Sequence, residues 1–537
     1  MRTSLGGLFS PSRSPNRMSN KAHDHVHRLI RSMTRAEKRY FKLFTGRHVL
    51  DGQSNHQMVF DAIATMDEYD EPALLARFKD EAFTNRFSIT KRRLYEAILR
   101  SLGAFHAESS VDSRLSRSLH QVEMLYKRAL YDDAQRMLLS ARKLAQQHER
   151  QYALLAVLQW ERKLLEGANY AGTGKDDLFR IAEESEALLR QQSELDQLWD
   201  LKSRLLLNLY RQGQARDVNT LAEVRTLLQH PLLADPNNVS TAKARFLFHH
   251  LHGAAAFATG NLVECHKHLT ANMIVLQVSR ELFQDEPNLV IGVLSNLIYV
   301  AVRLGRYEEA FARLNEFRTL PTRWAMPETE DLDLKLFSTT ASLELTIHSH
   351  MGDFDKALEL VPGVERGLET SAERMGPVRK AGFYYQLAYV HFGAGQNEKA
   401  LRWINRLLND VRIDVSAEII CFGRLLNLLI LLEIGKKDLL PYELRNTERF
   451  LKTRLRNHRF EPIFLDMVRR TTRARTPTAM QEAYRDVHKI LLALEHDPME
   501  HAVFGHFDPI AWVQSKLSGR SFAELVRERA GKVVLAA

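Results

Sequence analysis

The sequence predicts an all-α protein, an α-solenoid of about seven to eight helical hairpins with non-repeat helical caps at both ends. Three observations predict it. A turn recurs in which a glycine is followed by a charged pair and an alanine: "LGRYEEAFARL" (Gly305 to Ala310), "MGDFDKALEL" (Gly352 to Ala357) and "AGQNEKALRWI" (Gly395 to Ala400). The glycines at 260, 305, 352, 395 and 435 are spaced 45, 47, 43 and 40 residues apart, which is the period of a helix hairpin. Strand signals are nearly absent, because no sustained polar/apolar alternation is bounded by hairpin turns.

Each segment has its own reason. Residues 1–18 read as a disordered basic extension, with Met18 as an alternative start. Residues 19–110 form an N-terminal helical domain of about four helices, "TRAEKRYFKLF", "NHQMVFDAIATM", "EPALLARFKDEA" and "TKRRLYEAILRSLGAF". Thr34 and Glu37 make a capping box for the first of them. The repeat array spans 115–435 and opens with "RSLHQVEMLYKRAL" and "AQRMLLSARKLAQQHER", whose apolar residues recur at three- and four-residue spacing. From Ala129 to Gly435, seven steps average about 44 residues. No register is legible between 151 and 235. Pro231, Pro236, Pro287, Pro321, Pro327 and Pro377 are expected between units, and Pro362 is expected to kink or end its helix. Residues 436–537 are a C-terminal capping region. It ends in two short helices, one capped by Asp508 with Pro509 and the other by Ser521 with Glu524.

In "YYQLAYVHFGAGQNEKALRWINRLL", Tyr384 and Leu387 are bulky, Ala388 is small, Gly395 closes the turn, and Ala400, Ile404 and Leu407 follow. This pattern resembles a tetratricopeptide repeat, with units longer than that family's 34 residues. Gly253 and Cys265 take the two small positions around Gly260. "EKRYFKLF" and "WVQSK…RSFAELV" also resemble an uncharacterised bacterial family of such repeat proteins, which implies no activity. The tetratricopeptide resemblance implies a curved scaffold with a concave face.

The 537 residues carry a net charge of +9, unevenly placed. Residues 1–50 hold 11 Lys/Arg and 2 acids, and residues 445–475 hold 10 and 3. Two basic zones therefore flank a mildly acidic body, a distribution suited to nucleic acid or acidic proteins. Two cysteines far apart make no disulfide framework and fit a reducing compartment, so a cytoplasmic location is expected. The most apolar run, "LLNLLILL" (Leu425 to Leu432), is too short to cross a bilayer.

Candidate chemistry is sparse. "NYAGTGKD" (Asn169 to Asp176) ends like a phosphate-binding loop. Asn169 replaces the first glycine, Asp176 replaces the metal-binding hydroxyl, and a helix precedes it, so it reads as a helix–helix connector. His249, His250 and His252 face Cys265, His266 and His268 across the Gly260 turn, and thiolate with imidazole would suit zinc. The repeat register instead assigns His249, His252 and Cys265 to packing. "HDHVH" near the N-terminus and "EHDPMEH" (Glu495 to His501) read as solvated. No hydrolase, metalloprotease or dinucleotide motif occurs, so no catalytic residue, metal or cofactor is expected.

The function expected is therefore non-catalytic binding of a protein or peptide in a concave groove. The register places on that face Tyr299 and Arg303 from one unit, Thr346 and His350 from the next, and Tyr385, Tyr389 and Phe392 from a third. The alternative is a nucleic-acid-binding regulator with a repeat sensor. Lys91, Arg92 and Arg93 would lie on a recognition helix (Ile89 to Leu102), and Lys452, Arg454, Arg456, Arg469 and Arg470 in the C-terminal basic zone. A metal-dependent enzyme is the third reading.

Overall fold

The computed structural model describes residues 24–46, 55–108, 110–371, 374–409, 417–454 and 458–536. Among them are 25 α-helices and no strand. The expected extension at 1–18 lies outside the described residues. The chain divides into two compact units, Met1–Leu144 and Ala145–Ala537. The division falls inside a helix.

The first unit contains α1 (His25–Ser32), α2 (Arg35–Gly46), α3 (Asn55–Ala64), α4 (Glu71–Arg77), α5 (Phe87–Phe105) and α6 (Val111–Tyr126), and α7 (Tyr131–Gln147) crosses the division. Helix α1 corrects the reading of "HDHVH" as solvated. Asp24 caps it by accepting from the Val26 and His27 amides, Val26 is fully buried, and His27 Nε2 lies 3.0 Å from the Met66 carbonyl. The capping box on α2 is present: the Thr34 amide donates to Glu37 at 2.6 Å, and the Glu37 amide donates to Thr34 Oγ1 at 3.2 Å. Phe41, Phe60, Ile63, Leu74 and Leu94 form its core.

The second unit continues with α8 (Gln151–Gly167), α9 (Lys175–Gln212), α10 (Val218–Leu228), α11 (Ala242–Ala258), α12 (Leu262–Val278), α13 (Arg280–Phe283), α14 (Pro287–Arg303) and α15 (Tyr307–Arg323). Then come α16 (Glu330–Met351), α17 (Phe354–Thr370), α18 (Pro377–Gly393), α19 (Asn397–Asn409), α20 (Ala417–Ile434), α21 (Leu440–Thr453), α22 (Phe460–Arg473), α23 (Pro477–Glu495), α24 (Pro509–Ser518) and α25 (Phe522–Ala536). Helices pack in sequence, as α11 on α12, α14 on α15, α16 on α17 and α18 on α19. Each first helix also meets the next one, α14 on α16 and α16 on α18. This pattern is compatible with a helical-repeat fold.

The turns explain the periodicity. Gly260, Gly305, Gly352, Gly395 and Gly435 have φ between 73° and 79°. At each, the glycine amide bonds three residues back and the next amide bonds five back, as in Gly395 to Phe392 and Gln396 to His391. This is the Schellman stop, which needs a left-handed residue. Ala129 (φ 60°) and Asn169 (φ 52°) make the same two bonds, and Gly213 (φ 74°) ends α9. The series 129, 169, 213, 260, 305, 352, 395, 435 thus runs through the stretch whose register the sequence hides. There the glycine is replaced by asparagine, and α9 extends to 38 residues.

Prolines 231, 236, 287 and 377 each open a helix. Two proline expectations need correction. Pro321 lies inside α15, and α17 continues past Pro362 to Thr370. Both sit in helices anchored by buried faces, Leu314, Phe317 and Leu320 in one and Val361, Val364 and Leu368 in the other. That packing outweighs one missing amide.

Candidate functional site

The expected groove residues gather along one face of the second unit, and the chain's own C-terminal segment lies on them. After α23, residues 495–530 run back across the turn ends of α9, α11, α14, α16 and α18. The Tyr385 hydroxyl donates to the His506 carbonyl at 3.0 Å. The Phe522 ring meets Phe354, Tyr389 and Phe392 at centroid distances of 5.8, 6.3 and 5.5 Å. The Arg303 guanidinium lies on Gly505, where a Cβ would collide with it, and bonds Tyr299 Oη at 3.3 Å. His350 Nδ1 is 3.0 Å from the Thr346 carbonyl. Thr346 Oγ1 donates to Ser342 and accepts from Gln386 on α18, so it serves helix packing.

Burial shifts the groups here as expected for an interior. It pushes the Tyr385 and Tyr389 hydroxyls well up. It pushes His350 down to about 4, with help from the neighbouring Arg303 charge. A cavity of about 140 Å³ remains between Arg303, His350, Tyr389, Asp508 and Arg529. At about 30 Å³ per water it holds a few waters and no peptide.

A buried ion cluster fastens the start of this segment. Arg216, just before α10, binds Glu461 on α22 and Glu500, and all three side chains are buried. The carboxylates also accept from the amides of His458, Arg459 and Phe460. Burial alone would lower the Arg216 pKa, but the two carboxylates outweigh it and hold it above its ordinary value. Glu495 pairs with Arg529. The expectation that "EHDPMEH" is solvated is therefore corrected, because two of its acids anchor the C-terminal return. Both C-terminal caps form, on Asp508 and on the reciprocal pair Ser521 and Glu524.

At the α11–α12 hairpin His249, His252 and His268 come together, whereas His250 stacks on Phe246 and His266 bonds Glu309 on α15. His249 Nδ1 is 3.1 Å from His268 Nδ1, and His252 Nε2 is 2.9 Å from the Leu233 carbonyl. His252 and His268 stack at 4.8 Å with 14° between planes. Near-parallel rings cannot both hold one ion in plane, and among the described residues no group of three ligands is arranged around a metal position. Cys265 is buried, and burial pushes its thiol up to about 12, away from the thiolate a metal would need.

The stretch from Asn169 to Asp176 joins α8 to α9. Asp177 accepts from the Gly174 amide at 2.9 Å, placing a carboxylate where a phosphate would otherwise sit at the helix start.

The basic positions are largely engaged. Lys91 donates to Asp24, Glu71 and Tyr69 at 2.8, 2.5 and 3.0 Å. Burial opposes its charge, and these partners more than restore it, so its pKa is raised. Lys91 is thus a tie between α1, α4 and α5. Arg92 pairs with Glu96, Lys452 with Glu448, Arg469 with Glu448 and Asp466, and Arg470 with Asp486. Arg454 lies over the Phe450 ring, and Arg93 is exposed. Arg456 lies outside the described residues.

One surface escaped the sequence reading. Leu178, Leu189, Trp199, Leu207 and Tyr210 on α9 are all exposed, Trp199 by 61% and Tyr210 by 72%. At 3.6 residues per turn they fall within an arc of about 80°. Helical periodicity alone marks such a stripe as core-facing, so it gave no signal of exposure. Among the described residues no helix is long and apolar enough to cross a membrane. No family model matches this chain, and no curated protein matches it significantly.

Proposed function

We propose that this chain is a non-catalytic helical-repeat scaffold, a tetratricopeptide-like α-solenoid of seven to eight hairpins that binds a protein partner in the cytoplasm. The observation that carries the reading is the exposed apolar ridge on α9. Five large exposed side chains recur on one face of a 38-residue helix over about 48 Å, with Ser185, Gln192, Asp196 and Ser203 between them. Large exposed apolar side chains recurring on one helix face, with Trp and Tyr among them, suit the anchors of a binding face. The partner is an amphipathic helix laid along α9, contacting Leu189, Trp199 and Tyr210 as anchors. The groove positions Tyr299, Arg303, Thr346, His350, Tyr385, Tyr389 and Phe392 then serve to hold the chain's own C-terminal segment, and the binding face lies elsewhere than the concave groove. Two buried free cysteines fit a reducing compartment. The nucleic-acid reading gains no comparable support, because most of its cations are already paired with acids.

The test is a photo-crosslinking residue placed at Trp199 or Tyr210 in cells, with exposed Arg190 on the same helix as control. A defined heterologous protein crosslinked from 199 and 210 but not from 190 supports the reading. Crosslinks to a second copy of the chain, or equal labelling at all three positions, overturn it.

A further inference from the structure

A cleft of about 610 Å³ opens between α17 and α19, lined chiefly by residues within 358–369 and 396–406 and not by those that touch the C-terminal segment. One wall is a row of cations, Lys399, Arg402 and Arg406, on one face of α19 over about 10 Å. The other wall carries Glu365 and Glu369 from α17. Trp403 forms the floor, with the Arg406 guanidinium 4.6 Å from its ring.

Several cations elsewhere in the unit are neutralised by carboxylates. Arg527, Arg529, Arg469, Arg470 and Lys452 all pair with carboxylates. Among the described residues, Lys399, Arg402 and Arg406 form no ion pair with a carboxylate, and Glu365 and Glu369 form none with a cation. Opposite charges thus face each other across an open cleft without closing it, and its volume lies within the usual range of a ligand site.

We infer that this cleft docks a peptide segment of mixed charge. Its acidic side chains meet Lys399, Arg402 and Arg406, and a basic side chain meets Glu365 and Glu369. Sorting charges between two walls fixes the orientation of the peptide as well as its affinity. The inference shares the protein-binding reading but uses another face. Failure of crosslinking at α9 leaves it standing, and its own failure leaves α9 untouched.

The test uses the full chain and three fluorescein-labelled decapeptides read by fluorescence polarisation: alternating Glu and Lys, all Glu, and all Lys. The alternating peptide binds best, and Lys399→Glu with Arg402→Glu weakens it at least tenfold while the melting temperature is unchanged. Glu365→Lys with Glu369→Lys provides a gain that misfolding cannot mimic, because it turns the preference to the all-Glu peptide. Three results overturn the inference: equal binding of all three peptides, alternating-peptide binding indifferent to both double variants, or ATP binding that depends on Lys399 and Arg402 while no peptide binds.

Discussion

Replacing Arg216 by methionine leaves the Glu461 and Glu500 carboxylates facing each other inside the protein. In the native chain the guanidinium binds both oxygens of Glu461, one of Glu500, and the Met499 carbonyl at 3.4 Å. Three backbone amides satisfy part of the carboxylate acceptors, but they carry no countercharge. Removing one member of a buried ion group costs about 3–5 kcal/mol, chiefly through the charge left unpaired. Arg216→Met should lose that much stability in urea unfolding followed by circular dichroism. The loop at 213–217 should also become cleavable by protease under native conditions. The combined variant Arg216→Met, Glu461→Gln, Glu500→Gln removes all three charges and should recover most of the loss. If the triple variant is as unstable as the single one, uncompensated charge is not the cause. If Arg216→Met costs less than about 1 kcal/mol, the cluster does not fasten the C-terminal return.

Three further outcomes follow from the same geometry. Burial pushes His250, His268 and His350 down to about 4, aided respectively by Lys202, by His252 and His249, and by Arg303. Unfolding releases them to their ordinary value near 6.5, so the unfolded chain takes up protons first. Their stabilisation is complete above pH 6.5 and is lost as pH falls towards 4, by on the order of 3 kcal/mol per group at most. Thermal melts from pH 7.5 to 4 measure it, His268→Gln should flatten part of the slope, and a flat profile would sink the argument. Gly352→Ala and Gly435→Ala both place a side chain at φ near +75° to +79°, but only at Gly352 would the Cβ meet backbone, 2.6 Å from the Arg527 amide. Melting curves should show Gly435→Ala costing about 1 kcal/mol and Gly352→Ala at least about 3 kcal/mol; equal costs would mean that α25 does not sit on the α16 turn. In the first unit, Lys91→Met should expose the amides of α1 to hydrogen exchange and cost about 2–3 kcal/mol. Arg93→Glu on the same helix should change neither, so charge reversal at Lys91 tests folding rather than nucleic-acid binding.

The all-helical class and the turn series were legible because both rest on local chemistry. A left-handed glycine before the first turn of the next helix is written in a few consecutive residues, and it recurs at 260, 305, 352, 395 and 435. The Thr34–Glu37, Asp508 and Ser521–Glu524 caps were legible for the same reason, since each is a bond between residues three apart. The register between 151 and 235 was hidden because Asn169 makes the turn in place of glycine and α9 overruns the period. The solvated readings of "HDHVH" and "EHDPMEH" failed because their partners are distant. Met66 is 39 residues from His27, and Arg216 is 284 residues from Glu500. Tyr385, Tyr389 and Phe392 lie one turn apart along α18, and what touches them comes from residues 506–522, which no spacing rule connects to α18.

That return of the C-terminal segment changes how the second unit must be thought of. In a plain repeat array each hairpin touches only its neighbours, and stability is a sum of local terms. Here residues 495–530 touch the turns near 216, 303, 352 and 389 at once. Damage at any of these contacts is therefore shared by hairpins far apart in sequence, and the helices between them are expected to unfold together rather than one by one. The same contacts are long in sequence, so the loop-closure entropy falls late, after the repeats have formed. The exposed apolar side chains of α9 and the charged cleft between α17 and α19 lie on other helix faces than those that hold residues 506–522.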